Sequence, residues 1–91
     1  MKNCVQIKAV SFGINGNIQW QLSAFDRKGI ESFIAVFDNA AMQRQCLIAS
    51  ANLIINRKFL DGFVVECQTN AQLNSLIDAG LDVHQLMEDA E

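Results

Sequence analysis

The chain has 91 residues, of which 51% are apolar and 19% charged, no proline and a net charge of −3. This is ordinary globular composition, enough for one domain around one core, and it excludes a disordered polyelectrolyte or a low-complexity repeat. No stretch approaches the roughly 18 to 20 unbroken apolar residues of a membrane helix. The opening Met1–Gln6 alternates polar with apolar where a secretory signal would run apolar, so a cytoplasmic protein with no membrane partner is expected.

Residues 1–38 predict a three-stranded antiparallel meander. Val5, Ile7 and Ala9 alternate with Gln6, Lys8 and Val10, the period of a strand. Asn15-Gly16 is a strong signal for a two-residue hairpin turn, because both residue types tolerate positive φ. Ile18, Trp20, Leu22 and Ala24 then define the inward side of a second strand. Asp26-Arg27-Lys28-Gly29 reads as a three-residue loop closed by a left-handed glycine, leading into a third strand over Ile30–Phe37.

A helix is expected over residues 39–58, capped by Asp38 or Asn39 and closed by Arg57 and Lys58 at the negative end of its dipole. Met42, Cys46, Ala49 and Leu53 recur at helical spacing and predict its inward stripe, widened by Ile48 and Ile55. A short apolar strand at 62–68 follows. Coming after a helix, it is expected to run parallel to a strand of the meander. Residues 70–80 predict a second helix capped by Thr69 or Asn70 and stopped at Gly80, and 81–91 an acidic tail or short helix. The fold class is therefore α+β, in the order βββαβα: a mixed four-stranded sheet with its helices on one face.

The three cysteines, Cys4, Cys46 and Cys67, are odd in number and set in apolar runs, which predicts reduced, buried thiols. With His84 they lack the close pair that marks a zinc site, so no metal or cofactor is expected. Gly13-x-x-Gly16 is not followed by a lysine–serine or lysine–threonine pair and opens a strand rather than a helix, unlike a phosphate loop. Charge is divided along the chain. Up to Lys58 there are seven basic and three acidic residues (7 − 3 = +4); from Phe59 onward there are seven acidic and none basic (+4 − 7 = −3). Scattered basic residues without interleaved aromatics argue against nucleic acid, while the acidic end favours a basic protein partner.

The element order and three short segments resemble the N-terminal half of a ribonuclease H-like domain. The segments are Phe12-Gly13, Cys46-Leu47-Ile48-Ala49 and Val64-Val65-Glu66-Cys67-Gln68-Thr69-Asn70, and the resemblance covers roughly residues 4 to 80. It implies that catalytic members would hold two metals with carboxylates from strand one, the first helix and the end of strand four. Here the corresponding positions are Ala9, Val10 or Ser11, then Gln45 or Cys46, then Thr69 or Asn70. None is acidic, and hard cations want anionic oxygen, so no catalytic residue is assigned.

Pairing the strands by their turns sets Val10, Phe12, Phe33, Ala35 and Phe37 among glutamines on the face away from the helices. Exposed aromatics on a small chain mark an interface. Val83, Leu86 and Met87 of the tail, a second copy or another protein would cover them. The expected function is a non-catalytic protein-interaction module, self-associating as a dimer through this face or the edge strand. Two alternatives are an antitoxin-like or inhibitor protein that binds a basic partner, which the resemblance allows because trimmed ribonuclease H-like domains occur in HicB-type antitoxins that bind a toxin, and a metal-dependent nuclease with a site the sequence does not reveal.

Overall fold

Hairpin geometry builds the sheet in the computed structural model, which describes residues 3–87. Strand β1 (Cys4–Phe12) pairs antiparallel with β2 (Asn17–Phe25). Gly13 and Gly16, not Asn15, take the left-handed conformation, at φ 73° and 69°. The result is a four-residue loop that closes on Phe12 and Asn17, not a two-residue turn at Asn15-Gly16. Phe12 thus lies opposite Asn17 instead of Gln19. The two-residue difference is even, so every β1 side chain keeps its expected face.

The second turn forms as its residues predict. Gly29 is left-handed at φ 81°, and the Asp26 carboxylate accepts bonds from the amides of Lys28 (2.9 Å) and Ile30 (3.0 Å). Strand β3 (Glu31–Asp38) accordingly leaves the loop with Phe33 opposite Ser23. One residue later the register slips: Leu22 pairs with Ala35, so Ile34 is a bulge. A bulge adds one residue to one strand, and one residue reverses every side chain beyond it. Ala35 and Phe37 therefore lie opposite Leu22 and Trp20 on the helix-covered side, a correction to their expected exposure. Val36, opposite Gln21, lies on the outer side.

Helix α1 (Ala41–Lys58) carries the chain to β4 (Phe63–Glu66), which runs parallel to β1 and completes the order β3-β2-β1-β4. Helix α2 (Asn70–Asp78) follows. Both helices feed one core: Leu47, Ile48, Ala51 and Ile55 from α1, and Leu76 from α2, pack with Val5, Ile7, Trp20, Leu22 and Phe63 of the sheet. The architecture is a small α+β fold with a mixed four-stranded sheet and two helices. No described helix is long and apolar enough to cross a membrane.

The C-terminal segment goes to the β4 edge, not across the open sheet face. A single 3-10 turn (Val83–Gln85) lets Leu86 bridge to Phe63, and the Met87 amide donates to the Phe63 carbonyl at 2.7 Å. Leu86 packs against the core, Val83 is exposed, and Met87 lies beside Gly62. A β-carbon on Gly62 would collide with the Gln85 carbonyl oxygen, so the strap fits only over glycine. Glu88, Asp89 and Glu91 of the expected acidic tail lie outside the described residues.

Candidate functional site

The positions that the ribonuclease H-like resemblance singles out do not form a site. Ala9 is a core residue paired with Trp20. Gln45 and Cys46 are both exposed on α1, and Cys46 is thus not the buried thiol its apolar surroundings predict. Thr69 is occupied as the cap of α2, accepting from the Gln72 amide at 3.2 Å. Strand β4 ends in an acid that the assumed register overlooked, Glu66. Its carboxylate lies 3.6 Å from the Lys8 ammonium, with both side chains about half exposed. Among the described residues no three of His, Cys, Asp and Glu converge. Next to this pair is only a shallow hollow bounded by Ala9, Cys67 and Gln68.

A larger depression of about 630 Å³ opens between the β1–β2 loop, the end of β3 and the start of α2. Phe12, Asn17, Asp38, Asn39 and Gln72 line it. Asn39 is held at its rim: its side-chain oxygen accepts from the Trp20 indole at 2.9 Å and from Arg44 at 3.2 Å. That arrangement explains why neither Asp38 nor Asn39 caps α1. Ala40 takes the cap position with no side-chain bond, because Asn39 is spent on the buried indole. Asp38 is the one charged residue among those lining the depression, and its other polar groups are neutral amides.

Comparison of the chain with protein-family models, curated proteins and solved structures returns no match.

The surface offers more than the hollows do. On the open sheet face Val10, Phe12 and Phe33 take the side expected of them, but they do not form one patch. Phe12 is six residues along β1 from Gln6, which shares a row with Ser23 and Phe33, so the two rings are separated by roughly 20 Å along the strands. The glutamines Gln6, Gln19 and Gln21 occupy the middle. Phe33 is 60% exposed and stands with Val36 on β3, the edge strand. This edge carries two features that resist strand addition, the Ile34 bulge and acids at both ends, Glu31 and Asp38.

Helix α1 presents the second apolar surface. At 100° per residue, Leu47, Ile48, Ala51 and Ile55 centre on the sheet, while Met42, Cys46, Ala49 and Leu53 fall within about 60° of arc on the opposite side. Met42 is 77% and Leu53 55% exposed. The stripe expected to face the core thus faces outward. Both sides of α1 are apolar, so periodicity alone admitted either orientation; the pair of adjacent large residues, Leu47-Ile48, with Ile54-Ile55 a further two turns on, makes the wider apolar face, and that face is buried.

Proposed function

We propose that this chain is a non-catalytic protein-interaction module that self-associates, built on a catalytically degenerate ribonuclease H-like arrangement. The strand order β3-β2-β1-β4, with β4 parallel to β1 and preceded by a helix, supports the fold-level part of this reading. The lack of a carboxylate at Ala9, Cys46 and Thr69 supports the non-catalytic part, since two hard cations need anionic oxygens between them.

One observation carries self-association: an 18-residue helix that is apolar on opposite sides and, among the described residues, packed on only one of them. An apolar stripe left exposed beside neutral polar residues is the usual mark of a surface that another molecule covers. Phe33 and Val36 on β3 add a second exposed apolar surface. Sedimentation at tens of micromolar is expected to give a dimer; a monomer there overturns the reading. An assay for nucleic-acid cleavage with magnesium and manganese is expected to be blank. Cleavage that follows the protein through purification and is lost on Asp61→Asn or Glu66→Gln would replace the module with a nuclease.

The alternative of a basic protein partner also has an observation in its favour. Strand β3 is flanked by Glu31 and Asp38 with no basic residue between them, so an added strand with basic ends is electrostatically matched. Its mark is a binding rate that falls steeply with ionic strength.

A further inference from the structure

We propose that the self-association surface is the outer stripe of α1, and that two copies pair their α1 helices antiparallel, with Met42 of each opposite Leu53 of the other and Cys46 opposite Ala49. The inference rests on the self-association reading and names its surface and geometry.

Spacing is the first support. Positions 42, 46, 49 and 53 step by four, three and four, the seam of a left-handed helix pair. A helix alone in water gains nothing from such a seam. Side-chain size is matched in a two-fold pair of either orientation, and charge selects the antiparallel one. The stripe is large at both ends and small in the middle, so a two-fold axis between Leu47 and Ile48 sets large on large and small on small. The small pair Cys46 and Ala49 at the crossing lets the axes approach to the short end of the usual 8–10 Å.

Charge supplies the choice of occupant. Helix α1 holds no acidic residue, and its basic residues are Arg44, Arg57 and Lys58. Arg44 is turned away toward Asn39. The stripe is flanked by Gln43, Gln45, Ser50 and Asn52, neutral groups that suit a second copy. Arg57 also lies near the stripe. A parallel pair would bring the two Arg57 side chains together. The antiparallel pair separates them by roughly 28 Å along the axis, several screening lengths. The same register brings Arg57 level with the segment entering the second copy's α1, where Asp38 is exposed. On β3, by contrast, the bulge and like-charged ends oppose pairing with a second copy.

The test is a charge swap read by sedimentation velocity, with circular dichroism as the check on folding. Met42→Lys alone and Leu53→Glu alone are each expected to raise the dimer dissociation constant about tenfold or more, since each homodimer buries two unpaired charges. An equimolar mixture of the two variants is expected to recover a dimer. In the antiparallel heterodimer the introduced ammonium meets the introduced carboxylate, and the other Met42–Leu53 contact is native. A parallel pair gives no such recovery. If the native chain is a monomer, the self-association reading itself fails. If it is a dimer that folded Leu53→Glu leaves intact while Phe33→Glu dissociates it, self-association stands and the α1 surface is wrong. Loss of the dimer in both variants without recovery in the mixture overturns the antiparallel register.

Discussion

The two helices pack on the same core but are finished differently. Helix α2 is closed at both ends by its own residues. Thr69 and Gln72 form a variant of the capping box, with the Gln72 side chain accepting from the Gln68 amide at 2.8 Å. At its other end the amides of Gly80 and Leu81 donate to Ile77 and Leu76, the paired bonds of a Schellman stop, and Leu81 is buried against the core. Asn70, Asn74 and Asp78 line its solvent side. Helix α1 has no side-chain cap, ends on Phe59 in a left-handed conformation, and turns Met42 and Leu53 to solvent. A helix complete within the domain needs nothing further; a helix twice as long with an apolar back is stable in water only because its inner face is packed. The difference leaves an exposed apolar side on α1, the side on which self-association is proposed.

The largest effect that sharpens this contrast comes from paired truncations. Leu47→Ala and Leu76→Ala, one core position from each helix, are each expected to cost about 2–5 kcal/mol in urea unfolding. Leu53→Ala, measured where the chain is monomeric, is expected to stay within about 0.5 kcal/mol. A Leu53→Ala cost equal to that of Leu47→Ala would mean that the outer stripe belongs to the core of the monomer and would erase the distinction.

Gly62→Ala comes next. The added carbon has no room beneath the Gln85 carbonyl, so a loss of about 1–3 kcal/mol is expected, together with faster hydrogen exchange at the Met87 amide as the strap lifts from β4. Unchanged exchange would show that the strap relaxes without leaving the edge. The caps give smaller effects of opposite sign. Thr69→Ala is expected to cost about 1 kcal/mol, whereas Ala40→Asp, which supplies α1 with the acceptor it lacks, is expected to add a few tenths to about 1 kcal/mol. If Ala40→Asp instead destabilises, the Asn39 link between Trp20 and Arg44 is the true anchor of α1. Smallest is the Lys8–Glu66 pair. With both partners half exposed, Lys8→Met is expected to change stability by less than about 1 kcal/mol, an effect that shrinks with added salt.

Much of the fold is legible in the sequence. Alternation in β1 and β2, the Asp26–Gly29 turn and the Thr69 and Gly80 signals of α2 are local, and each formed where its residues placed it. The misread features are those in which two local solutions have nearly equal merit. Gly13 offered the first loop a second left-handed position, so the Asn15-Gly16 turn was not the only choice. Nothing in Phe33-Ile34-Ala35 announces a bulge, because any of the three residues fits either register. Of the open sheet face, Val10, Phe12 and Phe33 are legible in the alternation and Ala35 and Phe37 fall one residue out of step, while the exposed stripe of α1 reads as core.

What the sequence by itself determined is the order and type of the elements, the inward faces of β1 and β2, and the lack of acids at Ala9, Cys46 and Thr69. These depend on periodicity, turn chemistry and residue identity, which act over a few neighbours. What only the tertiary structure decided is the slip at Ile34, the face of α1 that meets the sheet, and the path of the C-terminal strap along β4. Each is settled by packing against distant residues: Trp20 and Leu22 draw Phe37 and Ala35 inward, the sheet selects the wider apolar side of α1, and Gly62 admits the Gln85 carbonyl. A helix with two apolar faces contains no local instruction about which to bury, and the face left over is where this protein's interaction surface is proposed.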